Sequence, residues 1–68
     1  MERVSVSSSN VVSIGYDEEN MILEIEFNNG TYQYYDVPLD VFEELLNTPS
    51  IGSYIHHNIR HNFSYAQV

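Results

Sequence analysis

From Val11 to Tyr35 apolar and polar residues alternate with a period of two, and from Val41 to Ile59 apolar residues recur at spacings of three and four. The first pattern predicts strands and the second predicts helices. Val11 to Tyr16 reads as a strand with Val12, Ile14 and Tyr16 on one face. Met21 to Phe27 reads as a second, with Met21, Leu23, Ile25 and Phe27 on one face and Ile22, Glu24 and Glu26 on the other. Thr31 to Tyr35 reads as a third. Asp17 to Asn20 forms a turn between the first two strands. Asn29-Gly30 reads as a tight two-residue loop between the second and third, because both residues tolerate positive φ.

That loop sets Phe27 opposite Tyr32, Ile25 opposite Tyr34 and Glu24 opposite Tyr35. A two-residue loop at Glu18-Glu19 sets Tyr16 opposite Met21, Ile14 opposite Leu23 and Val12 opposite Ile25. Both hairpins put their apolar residues on the same face, and a slip of one residue would invert a whole strand. The rest of the chain supplies the cover. Pro38 suits the first position of a helix. Val41, Phe42, Leu45 and Leu46 form that helix's apolar side, and Pro49 ends it. Ser50 is placed to cap a second helix with the stripe Ile51, Tyr54, Ile55 and Ile59. Gly52 weakens this helix and reads as a close-packing position. Phe63 to Val68 reads as a short terminal strand, and residues 1 to 6 are expected to fray. The predicted fold class is α+β: a three-stranded antiparallel meander, extended by a short C-terminal strand, with two short helices packed on one face.

Composition narrows the chemistry. Sixty-eight residues make one domain with a small core. There is no cysteine, which excludes disulfides and thiolate zinc sites. No apolar run is long enough to span a membrane, and no signal core opens the chain, so a cytoplasmic protein without membrane association is expected. Ten carboxylates stand against Arg3 and Arg60, with no lysine, for a net charge of −8. Such a surface repels phosphate backbones and anionic lipid and favours a basic partner.

No catalytic constellation appears. The serines lack a nucleophile elbow, no glycine-rich loop cradles phosphate, and Asp17-Glu18-Glu19-Asn20 lacks the glycine of a calcium loop. The chain is read as a non-enzyme with no cofactor. Tyr32 and Tyr34 share the face of Ile25 and Phe27, so they are expected in the core with their hydroxyls at the rim. Tyr35 points to the opposite face, beside Glu24, and is the better candidate for ligand contact. His56, His57 and His61 cluster in sequence. His57 and His61, four apart, are the weak candidates for a metal pair, but with no third ligand nearby they read as solvated histidines.

In their order and spacing these segments resemble the KTSC domain, found at the C-terminus of some lysyl-tRNA synthetases and as a small stand-alone bacterial protein. The matching pieces are Ser8-Ser9, Ile14-Gly15-Tyr16-Asp17, Leu23 to Phe27 with Asn29-Gly30, the central Tyr32-Gln33-Tyr34, Val37-Pro38, Ser50 with Gly52-Ser53-Tyr54, and Ile59-Arg60. The resemblance covers about residues 8 to 66. It implies an uncharacterised domain for which RNA binding has been suggested. Family members often carry basic residues after the Ser-x-Gly segment and near the C-terminus. Here those places hold Ser53 and Gln67, and only Arg60 keeps a positive charge, which makes it, with Tyr35, a candidate ligand contact. The sequence therefore predicts a non-catalytic interaction module, with a protein partner or self-association favoured over tRNA. An acidic decoy for a basic protein is a further reading.

Overall fold

The computed structural model describes all of residues 1–68. Five strands form one antiparallel sheet in chain order: β1 (Arg3–Ser5), β2 (Val11–Asp17), β3 (Ile22–Phe27), β4 (Gly30–Tyr34) and β5 (Tyr65–Gln67). Between β4 and β5 the chain forms helix α1 (Leu39–Asn47), the single turn α2 (Ile51–Tyr54) and a π-helical turn (Ile55–Ile59). The α+β class, the meander, the two helices and the terminal strand are all as expected. No helix is long and apolar enough to cross a membrane.

The N-terminus is a correction. Arg3, Val4 and Ser5 do not fray but pair with Gly15, Ile14 and Ser13. The cause is polar. Arg3 ion-pairs with Glu24 and with Glu26, at 3.1 Å for the latter, and Ser13 donates to Glu26 at 2.9 Å. Gly15 makes the crossing possible, since a Cβ there would lie 2.9 Å from the Met1 sulfur and 3.0 Å from the Glu2 carbonyl oxygen.

Both hairpin registers differ from expectation by two residues. Phe27 pairs with Gly30, Ile25 with Tyr32 and Leu23 with Tyr34, so Asn28 and Asn29 are the loop and Gly30 opens β4. Gly30 has φ +156°, a conformation that side chains strain. In the other hairpin Tyr16 pairs with Leu23 and Ile14 with Ile25, leaving a four-residue loop in which Met21 has φ 56°. A shift of two keeps each residue on its face, which is why the inward set survives.

Val12 and Met21 are the exceptions: Met21, expected on the inward face of β3, falls in the loop and is 38% exposed. A bulge between Val11 and Ser13 sets these two residues against Phe27 and Glu26, consecutive on β3, so Val12 has no partner. Val11 turns inward and Val12 is 43% exposed. The core joins Val11, Ile14, Leu23, Ile25 and Tyr34 of the sheet to Val37, Leu45, Ile55 and Ile59 of the covering segment. Tyr16 fastens the cover. Its ring stacks on Phe42 at 4.9 Å, and its hydroxyl donates to the Val37 carbonyl oxygen at 2.5 Å. Tyr54 donates to Glu44 at 2.8 Å and ties α2 to α1.

An aromatic groove with a single arginine

The covering segment does not close fully onto β3, β4 and β5. A groove of about 590 Å³ opens there, lined by thirteen residues from the start of β2, the β3 end with its Asn28-Asn29 loop, the β4 tyrosines, Tyr65, Gly52 of α2, and the π-helical turn with the Arg60-His61 step after it. Four aromatic rings run along it. Phe27 meets Tyr32 edge-on at 5.7 Å, Tyr32 lies 6.0 Å from Tyr65, and Tyr65 lies 5.6 Å from Tyr34. Pairing of Tyr34 with Tyr65 and of Tyr32 with Gln67 puts these rings side by side.

The two tyrosines of the Tyr-x-Tyr pair are not equivalent. Tyr34 is only 4% exposed and belongs to the core. Tyr32 is half-buried at the rim, packed against the core but open to the groove. Burial pushes the Tyr34 phenol up from its ordinary value, and the positive charge of Arg60 pulls it partly back. Arg60 lines the same groove as that ring. It makes no ion pair; the only two in the protein belong to Arg3. No aspartate or glutamate lines the groove, whereas Asn10, Asn28, Asn29, His56 and His61 do. Asn28 is held by its side chain donating to the Ser9 carbonyl oxygen at 2.7 Å.

The π-helical turn explains which histidines face the groove. A π-helix bonds residue i to i+5, so side chains five apart share a side. The Arg60 amide donates to the Ile55 carbonyl oxygen at 3.0 Å in this pattern. His56 accordingly approaches His61, with ring centroids 6.1 Å apart, and touches His57 at 5.0 Å. The α-helical spacing that paired His57 with His61 does not apply. The structure has no group of three or more histidine, cysteine or carboxylate side chains arranged to hold a metal ion.

Tyr35 and Arg60, the two candidate contacts, lie apart. The Tyr35 hydroxyl donates to Gln33 at 3.3 Å, and Gln33 donates to Glu24 at 2.9 Å. Tyr35 thus joins the polar network on the sheet face opposite the helices, while Arg60 lines the groove. In that network Glu24 is held below its ordinary range by the Gln33 hydrogen bond and by Arg3. The sequence reading missed Tyr65 and His56 as groove residues. Tyr65 becomes visible once the terminal strand is paired with β4, but His56 requires the π geometry.

Comparisons with known proteins agree on one family. A model of the KTSC domain matches residues 7–63. A crystal structure of a KTSC domain protein from Yersinia pestis superposes with a TM-score of 0.96 at 38% identity, covering 98% of this chain and 96% of that one. A small protein of Stutzerimonas stutzeri is 47% identical over 53 residues, 76% of this chain and 75% of its own. A lysine–tRNA ligase of Trichormus variabilis is 44% identical over 54 residues, which are 78% of this chain but only 10% of the ligase. The chain belongs to the KTSC domain family.

Proposed function

We propose that this domain is a non-catalytic binding module whose groove takes a short single-stranded stretch of nucleic acid. The observation that carries this reading is the local charge. In a protein of net charge −8, the groove's thirteen lining residues include no carboxylate, and they include the one arginine free of ion pairs. Tyrosine and phenylalanine faces stack on any base, and a guanidinium recognises phosphate. Phe27, Tyr32 and Tyr65 supply the faces, and Arg60 supplies the charge. A duplex would have to approach the acidic remainder of the surface and is disfavoured. A closely similar domain within lysine–tRNA ligases supports RNA as the nucleic acid. Charge summed over the whole chain favours a protein partner; charge at the groove favours this reading.

The test is fluorescence anisotropy with a labelled single-stranded RNA of six nucleotides and a duplex of the same sequence. The single strand binds and the duplex does not. With one arginine engaged, the logarithm of affinity falls with the logarithm of salt at a slope of only about −0.7. Equal binding of the two forms, or none by either, rejects the reading.

A second reading rests on the sheet edge. β5 is an outer strand, and Tyr65 and Val68 beside it are 57% and 63% exposed. A protein partner could add a strand there. Multi-angle light scattering on a size-exclusion column would show a dimer if that partner is a second copy.

A further inference from the structure

Gly52 has no structural reason to be glycine. It lies in α2, its φ is not positive, and a Cβ built on it meets no atom within 4 Å. Glycine in a helix is less stable than alanine, so the position carries a cost. Close packing, the reason that sequence suggests, does not account for it.

Its place in the molecule does. Gly52 and Asn10 line the aromatic groove and also a second cavity of about 380 Å³. The second cavity is walled mainly by Ser7, Ser8, Ser9, Ser50 and Ser53, and no charged residue lines it. Ser50 immediately precedes α2, and its hydroxyl makes no capping bond. The two cavities therefore meet at a helix surface that lacks a side chain.

We propose that Gly52 is the threshold of one continuous channel. The aromatic groove holds one base, and the serine cavity holds the ribose and phosphodiester of the adjoining nucleotide, whose backbone crosses Gly52. This rests on the reading that the groove takes single-stranded nucleic acid. Hydroxyls donate to phosphate oxygens and exchange hydrogen bonds with a 2′-hydroxyl without bringing charge. Glycine lets a ligand approach the helix backbone closely. A channel of this kind recognises a dinucleotide in a protein that has no lysine.

The experiment is an NMR titration of the full chain with adenosine 5′-monophosphate and with the dinucleotide pApA. The wild type, Gly52→Ala and Gly52→Leu are compared. The wild type binds pApA about tenfold more tightly than the mononucleotide. Both substitutions introduce good helix formers, so Gly52→Ala melts higher than the wild type and Gly52→Leu remains folded. The dinucleotide advantage shrinks in Gly52→Ala and falls below about threefold in Gly52→Leu. An advantage that is unchanged in both variants overturns the channel and leaves the groove standing. Equal binding of the two probes by the wild type does the same. Failure of the wild type to bind either probe overturns the groove reading and the channel with it.

Discussion

Tyr65 lies against Tyr34 with ring centroids 5.6 Å apart, although Tyr34 is 4% exposed and Tyr65 is 57% exposed. The two rings form one continuous surface, but they belong to different levels of the structure. Tyr34 is core, and Tyr65 is groove wall. Truncating each to alanine should separate the two roles. Tyr34→Ala leaves a cavity and costs about 3–5 kcal/mol, a large share of the stability of so small a domain. Tyr65→Ala costs about 1 kcal/mol or less, because its ring is largely in water already. Urea midpoints read both, and RNA anisotropy then reports a weakened groove in folded Tyr65→Ala.

The two arginines should behave oppositely. Arg3 pairs with Glu24 and Glu26 and pins β1 to the sheet. Arg3→Gln should cost about 1 kcal/mol, and the loss should shrink as salt rises, since exposed pairs are weak and screened. Arg60 has no carboxylate partner, so Arg60→Gln should leave the urea midpoint within about 0.5 kcal/mol of wild type while removing single-strand binding. Parallel denaturation and anisotropy series check both.

Acid should loosen the outer face of the sheet. The Glu24 carboxyl is held below its ordinary value, first by the Gln33 hydrogen bond and then by Arg3. A carboxylate whose folded pKa is depressed contributes stability above its unfolded pKa, near 4.3, and that contribution is lost as pH falls through the folded value. The wild type should therefore lose stability below about pH 4.5 relative to Glu24→Gln, whose side chain no longer titrates. Melting temperatures of both proteins from pH 7 to pH 3 test this. Parallel curves across that range would contradict the assignment.

Gly30 and Gly52 should respond in opposite ways to alanine. At Gly30 the backbone has φ +156°, and a Cβ would stand 2.8 Å from the Gln67 side-chain nitrogen. Gly30→Ala should lower stability by about 1–2 kcal/mol through backbone strain, with the flexible Gln67 amide moving aside. Gly52→Ala, with open space around it, should raise the melting temperature. Thermal melts of the two variants give the comparison directly.

Period-two patterning revealed which side chains point inward, because a hairpin slip of two residues leaves every face unchanged. Ile14, Leu23, Ile25 and Tyr34 are all buried although both registers differ from the simplest turns. Val12 was not legible. In the pair Val11-Val12 nothing local says which side chain the bulge will turn out. β1 was not legible either, since Arg3-Val4-Ser5 carries no period and is held by carboxylates more than twenty residues away. The groove was half legible. Its Tyr32 and Arg60 stand out in the chain, but His56 depends on a π-helical turn that no spacing rule for α-helices anticipates.

The most direct measurement is a map of backbone amide shifts as a single-stranded RNA hexanucleotide is added to the folded chain. Perturbations centred on Asn28, Tyr32, His56, Arg60 and Tyr65, extending no further than Gly52 and the serines beside it, and abolished by Arg60→Gln, are the predicted result. Shifts centred on Glu24, Gln33 and Tyr35 across the sheet, or a spectrum that RNA leaves unchanged, would contradict the account.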